Sequence, residues 1–560
     1  MSDVRDADAG VSSAQNDLWI FRDGSKLVSG KEMVRDLERR VSAGNNGSAL
    51  LDSLIEAGEL EAALADANCA EAPIAAQITD ILAWAVCSGQ DSSPALQFIA
   101  QIHPPDQIAF SSPEGFTYYA LHPLDFAQIT SRISEEPKAC ALVGIRSIGT
   151  TLSAMCAAGL RSAGRPVSRI TVRPTGHPYA RRTEFSSPQL HWIGEQLAID
   201  AQFLVVDEGP GRSGSTFLSV AEALQRAGVP NGRITILGSR QPNPAELCAE
   251  DAIARWKSFH FVSTMPSVNK RFEGYTYLGG GAWRHVVFQN FQDWPESWTQ
   301  MERLKFLSPD RQALYKFEGM GPLGIEVRDR ACVLADAGFS PRAAEAGDGF
   351  VQYQWLDGHV MNAKDLTSTV LDRLAEYCAF RASQFCTRRN STNELHHMLE
   401  HNVRQEFGAE LNLDADIFAA HNPVLADGRM QPYEWITTDA GEVIKTDAVS
   451  HGDDHFFPGP CDIVWDLAGV AIEWQLDGNG CEYLLNRFQA LTARDAKPQM
   501  LPYMLTYSIF RLGFCKMAIS TVLGSTEESR LRSAYAHYRG IAKGLLARLS
   551  CHAALRAPAA

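Results

Sequence analysis

Apolar residues recur at three- and four-residue intervals through "GKEMVRDLERRVSAG" and "SALLDSLIEAGELEAALADA". This spacing predicts helices across roughly residues 30 to 100. From about residue 115 the texture changes. "ACALVGI", "VSRITVRP", "AQFLVVDEG" and "RITILGS" are apolar runs of strand length, while "TTLSAMCAAGLRSAG" and "TFLSVAEALQRAG" keep the helical interval. Strands alternating with helices predict a parallel sheet, which binds ligands beyond the carboxyl ends of its strands. "FHFVSTMPSVNKRFEGYTYLGGGAWR" reads as a junction. A second α/β pattern starts near residue 275, and a largely helical one near 365. Runs such as "MLTYSIFRLGFCKMAIS" are apolar on most faces and predict buried helices. No internal repeat is found.

A chain of 560 residues exceeds one ordinary core, so several domains are expected. With 45% hydrophobic and 21% charged residues there is enough apolar surface to build them. A net charge of -15 argues against wholesale nucleic-acid binding. No apolar run approaches ~18 residues, so no membrane span is expected. The start, "MSDVRDADAGVSSAQND", is polar and acidic, unlike a signal peptide, and reads as a disordered tail. The 12 cysteines are scattered without a C-x-x-C pair, and many lie in apolar runs. That usage suits reduced thiols in a cytoplasmic protein.

Chemistry concentrates first in "FLVVDEGPGRSGSTF", residues 203–217. A solvent-exposed turn would explain its Gly, Pro and Ser. However, the loop joins an apolar strand to an amphipathic helix, where backbone N–H groups converge on an anion. Gly209 and Gly214 have P-loop spacing, but Ser215 stands where the phosphate-binding Lys is needed. Asp207 and Glu208, at the strand's end, supply paired carboxylates for a vicinal diol. Amides of Gly209, Gly211, Arg212, Ser213, Gly214, Ser215 and Thr216 face a nearby phosphate.

Four apolar residues, two acidic ones and a small-residue loop ending in Thr resemble the fingerprint of the type I phosphoribosyltransferases. The resemblance spans about 150 residues. It implies that "VGIRSIGTT" is a pyrophosphate loop, with Arg146 and the backbone of Ser147, Gly149 and Thr150 as contacts. "RPTGHPYARRTEF" would be the flexible hood, offering Arg173, His177, Arg181 and Arg182; on their own these residues also suit a solvated loop. The loop after Asp207 and Glu208 is one residue longer than the family's, with Arg212 inside it. The implied chemistry is displacement of pyrophosphate from phosphoribosyl pyrophosphate (PRPP), aided by Mg2+ and the basic hood.

The later half carries a second ordered set. "YLGGGAWRHVVF" offers a turn at Gly279, Gly280 and Gly281 between strand-like segments, and "QALYKFEGMG" places Lys316 in a strand. "GIEVRDRACVLADAG" is a helix carrying Glu326, and "GDGFVQYQWLDGHV" is an extended linker ending in Gly358. This order resembles the aminoglycoside phosphotransferase and choline kinase group, in which a strand Lys contacts nucleotide phosphates and pairs with a helix Glu. Two registers exist for the catalytic Asp. "SHGDDHF" holds a His-Gly-Asp triplet, but Asp453 stands only thirteen positions before Asp466, too few for a strand–turn–strand. Asp427 precedes the hairpin "PYEWITTDAGEVIKTD", which ends in Asp447, and Asp466 follows. In this register the resemblance implies that Asp427 is the catalytic base, Asp447 a Mg2+ ligand and Asp466 structural. Glu434 would replace the family's metal-binding Asn. Asp427 alone also suits a turn, and His451, Asp453, Asp454 and His455 suit a solvated loop better than a metal cluster.

The resulting expectation is an α/β multidomain chain: a tail (1–20), a helical accessory segment (21–110), a Rossmann-like phosphoribosyltransferase-like domain (111–265), and a protein-kinase-like small lobe (266–360) and large lobe (361–560). The resemblances imply a bifunctional transferase using PRPP, ATP and Mg2+ on small acceptors of nucleoside or sugar type. The alternatives are a non-catalytic nucleotide sensor and a protein with one active half. Homo-oligomerisation is left open.

Overall fold

The computed structural model describes residues 25–44, 47–133, 138–177, 179–211, 213–411, 413, 415–420, 422–453 and 456–556. The expected tail, Arg212, Asp454 and His455 lie outside these residues. The helical segment opens with β1 (Ser25–Val28), which pairs antiparallel with β2 (Ile108–Ser111). Between them run α1 (Gly30–Ser42), α2 (Gly47–Asp66), α3 (Ala72–Ser88) and α4 (Pro94–Ile99). Ser29 caps α1 by accepting from the Glu32 amide, which fixes the helix start.

After the short helices α5 (Glu114–Thr117) and α6 (Pro123–Gln128), a parallel sheet forms from β3 (Cys140–Ile145), β4 (Val167–Val172), β5 (Gln202–Val206), β6 (Ile234–Gly238) and β7 (His260–Ser263). Its order is β4-β3-β5-β6-β7, so the connections change direction between β3 and β5. The intervening helices are α7 (Ile148–Ser162), α8 (Ser187–Ala198), α9 (Ser215–Arg226) and α10 (Ala252–Trp256). Side chains alternate across the sheet. Leu142, Leu204 and Leu237 face α7, while Val143, Phe203, Val205 and Ile236 face α8, α9 and α10. Sequence periodicity missed α8, which starts at a capping box between Ser186 and Gln189. "FHFVS", expected as a junction, forms the sheet's fifth strand because its apolar residues pair along β6.

The third region contains α11 (Ser267–Arg271), β8 (Thr276–Tyr277), α12 (Arg284–Val287), β9 (Lys305–Leu307), β10 (Ala313–Phe317), α13 (Gly321–Asp336), β11 (Ala343–Gly347) and β12 (Phe350–Gln354). Its five strands form an antiparallel sheet ordered β11-β12-β10-β9-β8. "GDGFVQYQWLDGHV" is therefore two strands and a bend rather than a plain linker. The second strand, β13 (Gly358–Val360), pairs with β14 (Trp435–Thr438), which pairs with β15 (Val443–Lys445). The remaining helices are α14 (Ser368–Gln384), α15 (Thr392–Phe407), α16 (Val464–Glu473), α17 (Gly478–Thr492), α18 (Lys497–Ile519) and α19 (Thr526–Arg556). Among the described residues no helix is long and apolar enough to cross a membrane. The eleven described cysteines are free thiols.

One apolar core crosses the first three regions: Leu54 and Ile55 of α2, Leu152 of α7, Phe317 of β10 and Phe350 of β12 belong to it. The polar groups of α2 face named partners. Asp52 accepts from the Gly321 amide at 2.7 Å and pairs with Arg328 of α13 at 2.6 Å. Glu61 holds Arg169 of β4 through two bonds of 2.9 and 3.0 Å, and Asp80 of α3 adds a third at 2.9 Å. The Arg169 and Glu61 side chains are 3% and 4% exposed, so neither has water to fall back on. Glu61→Ala would leave a buried guanidinium without its main partner, a cost of about 3–5 kcal/mol. The double replacement Glu61→Leu/Arg169→Met is expected to recover most of it, and urea unfolding of the full chain measures both.

Candidate functional site

The chemistry-bearing residues gather in two clusters. The first is at the carboxyl end of the parallel sheet, where β3 and β5 diverge, the place where such sheets leave a crevice. Val205 and Val206 bury themselves in the two faces, and the chain then presents Asp207 and Glu208, both half-buried. The Asp207 carboxyl accepts from the Glu208 amide at 2.9 Å. Gly149, in the first turn of α7, passes so close that a Cβ there would meet the Val206 carbonyl at 2.5 Å and Asp207 Oδ1 at 3.4 Å. Just before it, Ser147 takes φ 86°, an unusual conformation for a residue with a side chain. The Glu208 carboxyl reaches the Gly115 segment, where an added Cβ would lie 2.7 Å from Oε2. Burial pushes the Asp207 carboxyl up to about 8 and the Glu208 carboxyl up to about 7, with Glu114 adding to the latter.

The surrounding residues depart from the expected cradle. Arg146 pairs with Asp66 at 3.0 Å and donates to the Ala65 carbonyl at 3.2 Å, and Arg173 grips the same Asp66. Both arginines are thus satisfied by the end of α2. The Thr150 amide, expected as a backbone contact, donates to the Ser147 carbonyl at 3.2 Å. In the loop before α9, the Gly214 amide donates to the Gly211 carbonyl, and the Ser215 amide to Ser213 Oγ at 3.2 Å. These two donors are consumed within the turn, and the buried Ser213 and Ser215 side chains bond each other. Gly209 lies beside Ser239, and Thr216 heads α9. Arg181 and Arg182 line an open groove with Arg226, beyond an antiparallel bridge of Thr175 with Arg182. The structure therefore brings Gly149, between Ser147 and Thr150 in sequence, against Asp207, and places Arg181 and Arg182 in a separate groove.

The second cluster lines a cavity of about 280 Å3 between the antiparallel sheet and the C-terminal helices. Lys316, 131 residues before Asp447, donates to its Oδ1 at 2.7 Å and to Ser450 Oγ at 3.0 Å. Its other anionic partner is Glu318, at 3.0 Å, itself held by the Tyr353 hydroxyl at 2.8 Å. The expected Lys316–Glu326 pair is not formed. Glu326 sits on the outer face of α13 and binds Arg389 at 2.6 Å. Glu318 takes the place because positions i and i+2 of an extended chain share one face. The glycine turn also differs from expectation. Gly280 and Gly281 have φ of 58° and 81° and lead into α12 rather than a strand. The Gly281 amide donates to Glu302 at 2.9 Å, and none of Gly279, Gly280 and Gly281 lines the cavity.

Asp427 is 1% exposed in a loop fixed from below by Asp466, which accepts from the amides of Asp427 at 2.9 Å and Gly428 at 3.2 Å. Its carboxylate accepts from the Tyr377 hydroxyl and from the Arg429 amide. It does not line the cavity, whereas Arg429, Tyr433 and Glu434 of the same stretch do. The two candidate registers prove to be neighbours: a Cβ on Gly452 would stand 2.0 Å from the Ala426 carbonyl, so the "HGD" turn lies directly on the Asp427 loop. His451, expected in a solvated loop, is half-buried with Nε2 3.7 Å from Asp447 and Nδ1 4.0 Å from Glu434.

Sequence patterning also missed Lys445. It ends β15, is wholly buried, and points its ammonium at Glu434 Oε2 (2.7 Å), the Asp447 carbonyl (2.5 Å) and Asp427 Oδ1 (3.4 Å). A lysine in phase with Val443 of the apolar hairpin strand is the signal that could have found it.

Burial alone would raise the Asp447 carboxyl, but the ammonium groups of Lys316 and Lys305 hold it well below the usual range. Burial drives His451 well below its ordinary value, so the imidazole is neutral. A hard cation needs an ionised carboxylate and compact oxygen donors. Asp447 supplies the first, and ligand atoms of Asp427, Glu434 and His451 lie within 4.8 Å of one another. Asp447 lies outside that group, with Oδ2 3.7 Å from His451 Nε2, and is the ionised carboxylate that would hold a divalent ion, while Lys445 shares the oxygens of Glu434 and Asp427.

No family model matches the sequence, and no curated protein matches it. Among solved structures, the chain is similar to a choline/ethanolamine kinase family protein from Mesorhizobium loti. The TM-score is 0.30 at 13% identity, over 43% of this chain and 84% of that one. It is likewise similar to choline kinase LicA from Streptococcus pneumoniae (TM-score 0.30, 13% identity, 42% and 90% covered). An aminoglycoside phosphotransferase from Alicyclobacillus acidocaldarius gives 0.27 at 13% identity, covering 45% and 90%. At such scores the chemistry rests on the geometry of the cleft itself.

A carboxyl raised by folding costs stability that builds up between its unfolded and its folded pKa and stays at full value above the latter. For Asp207 that cost is absent near pH 4 and grows as pH rises toward 8. Asp207→Asn is expected to raise the thermal midpoint at pH 8, with the gain shrinking toward zero near pH 4. Unfolding scans across that range measure the difference.

Proposed function

We propose that the 280 Å3 cleft is a phosphotransferase site, moving the γ-phosphoryl group of ATP onto a hydroxyl of a small molecule. The observation that carries this reading is the Lys316–Asp447 pair at 2.7 Å, formed across the mouth between sheet and helices beside a loop whose backbone Asp466 clamps. Phosphoryl transfer asks little covalent work of a protein and much positioning and charge. Lys316 would exchange Asp447 for nucleotide phosphates, releasing the carboxylate to a Mg2+ ion. When bound, that ion would neutralise charge on the transferring group. Glu434, which faces the cavity, would orient the acceptor hydroxyl, and the buried Asp427 would hold the loop that carries it. Trp283, Tyr353 and Trp355 give the cavity apolar walls suited to a base or ring. Lys316→Met and Asp447→Asn are each expected to lower ATP turnover at least ~100-fold across a panel of amino-alcohol, sugar and nucleoside acceptors. Asp427→Asn and Glu434→Gln, compared at saturating acceptor, separate the holding role from the orienting one.

A second reading attaches to the parallel sheet. The paired carboxylates at the switch point, closed in by Gly149 and the left-handed Ser147, favour a ligand carrying a vicinal diol next to phosphate. PRPP has that chemistry, and its phosphoribosyl transfer would make the chain bifunctional within the multidomain layout expected from sequence. Arg146 and Arg173 would then have to leave Asp66 to meet pyrophosphate. PRPP-dependent pyrophosphate release that Asp207→Asn abolishes while sparing ATP turnover is the expected result. Binding of PRPP and ATP without turnover on any acceptor would instead identify a sensor.

A further inference from the structure

Lys445 has a role that neither transferase reading uses. Its side chain is 0% exposed, and its ammonium lies among three oxygens: Glu434 Oε2 at 2.7 Å, the Asp447 carbonyl at 2.5 Å and Asp427 Oδ1 at 3.4 Å. Donors of Asp427 and Glu434 also belong to the one group among the described residues with metal-ligand spacing. A positive charge therefore already stands between two of the carboxylates that would draw a divalent ion. Asp447, the cavity-lining carboxylate next to this pair, has Lys316 on Oδ1 at 2.7 Å and Lys305 3.9 Å from Oδ2. Nucleotide phosphates can attract those two lysines toward the cavity. Lys445 has no such exit, because it is enclosed beneath β15 with the ring of Trp435 6.0 Å from its Nζ.

We propose that Lys445 is a resident cation that takes the place of a second metal ion, so the cleft loads a single divalent ion with its nucleotide, at Asp447. This rests on the phosphotransferase reading and deepens it. In a two-metal site the pair of ions clamps the attacking and leaving oxygens, and the protein's carboxylates hold the ions in place. Here a fixed ammonium would hold Asp427 and Glu434 in place and exclude a second ion by like-charge repulsion. Lys445 is a positioning residue, since it touches the carboxylates and not the substrate.

The test is a count. Mn2+ titration followed by electron paramagnetic resonance, with a non-hydrolysable β,γ-imido ATP analogue present, is expected to give one tightly bound Mn2+ per wild-type chain. Lys445→Met is expected to admit a second. Lys445→Met/Glu434→Gln, which removes the charge imbalance with the lysine, is expected to return to one and to guard against a single variant that does not fold. Two Mn2+ ions in the wild-type chain overturn the inference while leaving the phosphotransferase reading intact, as does a single ion in a folded, analogue-binding Lys445→Met. Failure of the wild-type chain to bind the analogue, measured separately by calorimetry, removes the phosphotransferase reading and this inference with it.

Discussion

The inward carboxylates of α2 are the constraint on which the arrangement depends. This 20-residue helix is buried along most of its length, although Asp52, Glu56, Glu59 and Glu61 interrupt its apolar sequence. Charges so placed are tolerable only when each finds a partner or gives up its charge. Asp52 finds the start of α13 and Arg328, Glu56 finds Arg40, Glu61 finds Arg169, and Asp66 finds Arg146 and Arg173. Glu59, raised well above the carboxylate range by burial and by Glu56, is a neutral acid. At 1.5 Å per residue the helix spans about 30 Å, enough to reach from the antiparallel sheet to the crevice of the parallel one. One helix thus ties the start of α13 to the arginines Arg146 and Arg173.

The same logic of matched charge governs the cleft. Carboxylates of Asp427, Glu434 and Asp447 are set against the cations of Lys316, Lys305 and Lys445. Removing such groups from water costs free energy that close pairing offsets. The partners differ in mobility: Lys316 borders a cavity and can change partners, whereas Lys445 is sealed. The parallel-sheet crevice has a comparable arrangement, with Asp66 occupying the arginines that an anionic ligand would need.

Much of this was legible in the linear pattern. Strands β3, β5 and β6 are buried on both faces, so their apolar runs are continuous, and the abrupt arrival of Asp207–Glu208 marks a strand end. The hairpin β14–β15 followed from its strand–turn–strand pattern, and the positions of Asp427, Asp447 and Asp466 around it from their spacing. The α8 helix escaped notice because only Ile193 of its residues is buried, leaving a weak apolar stripe. The glycine turn misled because a run of glycines has the same composition whether its amides face a phosphate or, as here, Glu302.

The sequence by itself determined the alternation of strands and helices, the acidic strand tip and the order of the three C-terminal aspartates. These are local properties, set by side-chain period and by neighbours within a few residues. Which ions meet was decided only by the tertiary structure. Lys316 lies within reach of Glu318 and ten residues from Glu326, and the outcome depends on which face of α13 packs inward. Lys445 meets Asp427 and Glu434, and Asp66 meets Arg146 and Arg173, across loops whose closure no local period encodes. The pairing of charges distant in sequence follows from how the apolar faces dock, because those faces determine which polar groups lose water together.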